Sequence, residues 1–122
     1  PWRREQKKPV DPERQLMIKV KACQRLIKEA AFYVTELKEN EDKLDKMKQE
    51  KRDVYDIKYF DDVVGESRMM VPDSQARMKK NVEDLEIFLD SNRSNLNAEG
   101  EWMTAASSLL SEQQGVKSSE DV

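Results

Sequence analysis

Residues 16–44 read LMIKVKACQRLIKEAAFYVTELKENEDKL, and their spacing decides the fold. Leu16, Val20, Cys23, Ile27, Ala30, Val34, Leu37 and Leu44 follow one another at steps of 4, 3, 4, 3, 4, 3 and 7, with Glu41 filling the one polar position. Alternating steps of three and four return a side chain to the same side of an α-helix, so this is a heptad seam. Leu26 and Tyr33 flank it on one side and Met17 and Ala31 on the other, which widens the stripe enough to meet two neighbouring helices. An all-α, antiparallel three-helix bundle is expected. Disorder, the competing reading of a chain with 39% charged residues and 7% aromatics, is set aside by this periodicity.

Working outward, Asp11 and Pro12 form a helix start: the carboxylate accepts from free amide donors, and proline tolerates the first helical turn. The first helix is expected over residues 12–50. Its charged end, residues 36–52, is expected to project beyond the core, supported by the pairs Glu39 with Lys43 and Asp42 with Lys46. Asp53 caps a second helix in which Ile57, Phe60, Val64, Ser67 and Val71 again alternate by three and four. The pattern restarts at Met78, Val82, Leu85 and Leu89, and the eleven residues from Val71 to Val82 make a stutter. Pro72 sits where the phase changes and removes a backbone donor, so a second helix kinked at Pro72 is expected, in two segments over residues 54–71 and 73–90.

A third helix, the weakest, is expected over residues 98–113, capped by Asn97 and burying Trp102, Ala105, Ala106 and Leu109. The domain reading is therefore a flexible basic arm over residues 1–11, the bundle over 12–114 and a disordered tail over 115–122. The chain's net charge of -3 argues against sequence-independent nucleic-acid binding, although residues 1–29 hold nine basic and four acidic side chains. No apolar run approaches the ~20 residues that cross a bilayer, and PWRREQKKPV lacks the apolar stretch of a signal peptide, so a cytoplasmic location is expected.

Much chemistry is excluded. With no histidine, neither a Ser-His-Asp arrangement nor a His-ligated metal site can be built, and the single cysteine, Cys23, permits neither an internal disulfide nor a thiolate-rich cluster. Three scattered glycines form no phosphate-cradling loop. Neighbouring carboxylates such as Asp61 and Asp62 diverge around a helix and do not converge on a substrate. No cofactor and no enzymatic activity are expected.

One stretch carries more specific information: YDIKYFDDVVGESRMMVPDSQARMKKNVEDLEIFL, residues 55–89. Its centre, Glu66-Ser67-Arg68-Met69-Met70-Val71-Pro72-Asp73, resembles the ESRMM-aliphatic-PD signature of the tubulin-binding cofactor A family. Tyr55-Asp56-Ile57-Lys58 is similar to that family's YDIK or YDLK opening. Upstream, Ile18-Lys19-Val20-Lys21 and Arg25-Leu26-Ile27-Lys28-Glu29 resemble its IKIK and RLVKE blocks. The resemblance covers roughly residues 11–90; the basic start from Trp2 to Lys8 has no clear family counterpart, and the third helix is more serine-rich than the family's charged version. It implies a three-helix cofactor that binds β-tubulin after release from the cytosolic chaperonin and passes it toward the other tubulin-folding cofactors, without nucleotide hydrolysis. A monomer or weak homodimer is expected; the alternative is a structural coiled-coil tether or homodimeric adaptor, which would run straight through the turns expected near Arg52 and Asn95.

Ile18, Arg25, Phe32 and Glu39 share one outward heptad position, so Ile18 and Phe32 should be exposed apolar groups beside an arginine, a composition typical of interfaces. Met69 and Met70 are adjacent and cannot both face the core; Met69 is assigned outward beside Arg68, with Asp73 following in the signature. The expected partner-binding residues are thus Ile18, Arg25, Phe32, Arg68, Met69 and Asp73. The same phase places Ile27 and Leu85 inside. Leu85→Ala should therefore cost about 2–5 kcal/mol while Phe32→Ala leaves thermal unfolding nearly unchanged; equal losses in a melting experiment would reverse the assignment of faces.

Overall fold

The computed structural model describes the backbone of residues 11–120 and the side chains of residues 11–116. Three α-helices occupy it: α1 is Pro12–Gln49, α2 is Val54–Asn92 and α3 is Glu101–Glu120, with a short 3-10 turn at Arg93–Asn95. No strand occurs among the described residues, and the fold is an all-α, antiparallel three-helix bundle. The expected basic arm lies outside the described residues except for Asp11.

The caps of the first two helices act as the sequence predicts. Asp11 Oδ1 accepts the Glu13 amide at 3.2 Å, and Asp53 Oδ1 accepts the Tyr55 amide at 2.7 Å, each satisfying a donor that the first turn leaves free. Between them, α1 stops in a Schellman arrangement: Arg52 N–H donates to the Met47 carbonyl at 3.0 Å and Lys51 N–H to the Lys48 carbonyl at 3.1 Å. Lys51 takes a φ of 52°, the left-handed region that usually belongs to glycine. A loop of four residues thus ends one helix and starts the next.

The chain divides into two compact units, Pro1–Ala22 with Val82–Val122, and Cys23–Asn81. In the first, parts of all three helices meet around Leu16, Val20, Leu85, Leu89 and Ala106, each almost wholly buried. Lys19 Nζ lies over the Phe88 ring at 5.3 Å and Lys21 Nζ over the Trp102 ring at 5.4 Å, joining α1 to α2 and to α3. Glu13 Oε1 accepts the Asn97 amide, tying the start of α1 to the turn before α3.

The second unit is a helical hairpin. Its contacts run in antiparallel register: Asn40 Nδ2 donates to Ser67 Oγ at 2.9 Å, and Lys43 Nζ sits 4.7 Å from the centre of the Phe60 ring. Its core holds Cys23, Leu26, Ala30, Leu44, Met47 and Val64 together with the buried serines Ser67 and Ser74.

Several expectations are corrected. Val34 is 47% exposed and leaves the seam, which runs instead through Leu26, Ala30, Tyr33, Leu37 and Asn40. Asn40, not Glu41, fills the polar layer, because only that phase brings an amide opposite Ser67. The charged end of α1 does not project: Leu44 and Met47 are buried, since the first half of α2 folds back over them. Glu39 with Lys43 and Asp42 with Lys46 are not among the ion pairs of the described residues; Lys43 turns to Phe60.

At Pro72 the expected division into two segments is absent. α2 is helical without interruption from Val54 to Asn92, and a kink there is not confirmed. Pro72 is exposed, so the carbonyl that loses its partner is on the side where water can serve it, while Val64 on one side and Val82 on the other remain packed. The eleven-residue step is bridged by buried Ser74, whose hydroxyl donates to the Val71 carbonyl at 3.0 Å, and by half-buried Met78.

α3 starts later and ends later than expected. Asn97 Oδ1 accepts the Glu99 amide at 3.0 Å in a turn ahead of the helix, and the Gly100 carbonyl accepts the Thr104 amide at 3.1 Å. A Cβ on Gly100 would meet the Asn97 carbonyl at 3.2 Å, which suits glycine to this close approach. Helix continues through Glu120, so residues 115–120, expected as irregular tail, are helical. Met103, absent from the expected core, is buried, while Trp102 and Ala105 are half-buried.

Two backbone substitutions test these local readings. Lys51→Gly should raise unfolding stability by about 1 kcal/mol by relieving the left-handed residue, and Lys51→Val should lower it. Pro72→Ala should stabilise by about 1–3 kcal/mol by restoring a donor within a continuous helix. Urea denaturation measures both, and destabilisation by Pro72→Ala would mean that the proline sets a helix path the rest of the unit requires.

Candidate partner-binding surface

All six expected residues are exposed. Ile18, 51% exposed, belongs to the first unit; Arg25, Phe32, Arg68, Met69 and Asp73 belong to the second. On α1 of the second unit, Arg25 and Phe32 are seven residues apart and share the side turned away from the seam. Phe32 is 60% exposed and meets Tyr33 edge-on, with ring centroids 5.5 Å apart. Its position is held by a neighbour on its own helix.

On α2, Met69 is 71% exposed and Asp73 lies one turn further along the same side, its carboxylate 3.3 Å from Arg77. Met70 is half-buried, so the adjacent methionines divide as expected. Arg68 points elsewhere: its Nε is 3.7 Å from Glu41 Oε1 of α1, on the flank where the two helices meet. The five residues of the second unit therefore do not converge on a pocket: Arg25, Phe32, Met69 and Asp73 line outward helix faces, and Arg68 sits on the flank between the helices.

The basic cluster of α1 is also resolved into parts. Lys19 and Lys21 spend their ammonium groups over Phe88 and Trp102, whereas Arg25 and Lys28 are exposed. Sequence reasoning did not single out Tyr55 and Tyr59 as surface residues, yet they are 82% and 72% exposed. Their signal was present: the seam through Phe60 and Val64 puts positions 55 and 59 on the far side of α2.

An open cleft at the hairpin end of the second unit is lined by Lys43, Lys46, Met47, Arg52, Tyr59 and Phe60 among others. No group of three or more metal-ligating side chains occurs among the described residues, and no described helix is long and apolar enough to cross a membrane.

These features define an all-helical protein that displays charged and apolar side chains along its helices. Residues 11–110 match the family model described as tubulin binding cofactor A, and the chain belongs to that family. The tubulin-specific chaperone A of Gallus gallus is 41% identical over 102 residues, 83% of this chain and 94% of its own. That of Homo sapiens is 40% identical over 84 residues, 68% of this chain and 78% of its own. Among solved structures, tubulin folding cofactor A from Arabidopsis thaliana superposes with a TM-score of 0.74 at 32% identity, covering 85% of this chain and 96% of the other. The human tubulin chaperone cofactor A gives 0.69 at 35% identity, covering 84% and 98%. The family is one of tubulin chaperones and folding cofactors, which is not an enzyme class.

Proposed function

We propose that this chain holds β-tubulin released from the cytosolic chaperonin and passes it on toward αβ-tubulin assembly, by way of other tubulin-folding cofactors and without nucleotide hydrolysis. The observation that carries the reading is the family match over residues 11–110, joined to outward faces rich in exposed apolar groups. A chaperone for one client needs surface complementary to that client rather than a catalytic pocket.

The client contacts are the outward faces carrying Phe32, Arg68 and Met69, together with Arg25 and Asp73 of the same unit and Ile18 of the first. Phe32 and Met69 supply area that becomes buried on binding, and exposed Arg25 and Lys28 draw acidic regions of the client during approach. The turns at residues 50–53 and 93–100 favour this bundle over a coiled-coil tether, which would run straight through them.

A Phe32→Ala, Arg68→Ala, Met69→Ala triple variant should stay folded, because all three side chains are exposed, and should lose β-tubulin capture in a pull-down of chaperonin-released tubulin. A truncation lacking residues 1–10 and 115–122 should keep it. Full capture by the triple variant with loss in the truncation would move the site to the termini. Rising salt should weaken capture in part, since exposed charges are screened over about 8–10 Å near physiological ionic strength while apolar contact persists.

A further inference from the structure

The outward face of α2 in the second unit carries a pattern that the expected residues only touch. Tyr55, Tyr59, Asp62, Glu66, Met69 and Asp73 follow at steps of 4, 3, 4, 3 and 4. On a helix turning about 100° per residue they form one stripe, about 27 Å long. All six are exposed. The stripe combines two tyrosine rings, a thioether and three carboxylates, and holds no cation of its own. Lys58 stands on its shoulder; the nearest arginines are already committed, Arg68 to Glu41 and Arg77 to Asp73. The exposed residues of α1 in the same unit include the cations Arg25 and Lys28 beside Phe32, with Glu39 one heptad beyond it.

We propose that this whole stripe, and not Met69 and Asp73 alone, is part of the client site, and that the element of β-tubulin lying on it is a basic amphipathic helix. Such a helix presents Arg or Lys and large apolar side chains at three- and four-residue spacing. The inference rests on the reading of the chain as a β-tubulin-holding cofactor. Its physical basis is complementarity: Asp62 and Glu66 take cations, the tyrosine faces take a guanidinium or an aliphatic side chain, and Met69 adapts to the apolar ridge. A second copy of this chain is a poorer occupant. Its Arg25 and Lys28 would fit the stripe, but α1 placed on α2 is a head-to-tail contact, which builds chains or rings rather than the self-complementary pair of a common dimer.

The test uses the full chain and three variants: Tyr55→Ala with Tyr59→Ala, Asp62→Lys with Glu66→Lys, and Glu112→Lys as a charge control on an exposed position of α3. Capture of chaperonin-released β-tubulin is measured beside titration of two synthetic helical peptides of about 20 residues, one with Arg and Leu along one side and one with Glu replacing Arg. The basic peptide should bind the wild type, each double variant should weaken both that binding and β-tubulin capture about tenfold or more, and Glu112→Lys should change neither. The acidic peptide should not bind. Undiminished capture by the double variants while the wild type captures normally overturns this inference and leaves the proposed function standing. Binding of both peptides alike also overturns it. Absence of capture by the wild type sinks the function itself and removes β-tubulin as occupant. Concentration-dependent self-association in sedimentation, lost in Asp62→Lys with Glu66→Lys, would make a second copy the occupant and overturn the proposal.

Discussion

The structure depends on burial along one narrow stripe of a largely charged helix. α1 has 38 residues, yet those it buries are confined to the positions from Leu16 to Met47 that recur every three or four residues. The hydrophobic effect acts only on that line, so α1 is held only where a neighbour meets it in register. The four-residue loop sets this register for the hairpin. With α1 ended by the Lys51 conformation and α2 started by the Asp53 carboxylate, the two helices have little freedom to slide.

The interior of the second unit shows what a thin core requires. Ala30, Cys23, Ser67 and Ser74 are small, and Asn40 lies among the apolar positions. Small side chains contribute little area but permit close helix approach, and the Asn40 to Ser67 hydrogen bond adds direction that apolar contact lacks. Sliding one helix by a turn would leave these polar groups unpaired, at a cost of about 1–3 kcal/mol for each buried group. The polar layer thus disfavours alternative registers that an all-leucine seam would tolerate.

The same economy explains the surface. A helix with one buried stripe turns most of its circumference outward, and in this chain that circumference carries Phe32, Met69, Tyr55 and Tyr59 among charges. The family to which the chain belongs is one of tubulin chaperones and folding cofactors. Among these exposed charges are Arg25 and Lys28 on α1 and Asp62 and Glu66 on α2, so a client meeting either face would have to match charge as well as apolar area, which favours specificity over indiscriminate apolar binding.

The sequence by itself determined the presence and order of the helices, two of their caps, the stutter at residues 71–82 and the outward placement of Ile18, Arg25, Phe32 and Met69. These are local or periodic properties, set within a few residues by hydrogen-bond donors, side-chain geometry and the 3.6-residue repeat. It also carried the family signature. Only the tertiary structure decided which of several nearly equivalent apolar positions went inside: Val34 stayed out while Tyr33, Asn40 and Met47 turned toward the hairpin partner, since a small rotation about the α1 axis exchanges such neighbours. Likewise Pro72 removes a hydrogen bond wherever it stands, but whether that breaks a helix depends on which side of the helix the vacancy faces and on what is packed before and after it. For α2 the exposed proline lies between buried Val64 and Val82, and their packing carries the helix through.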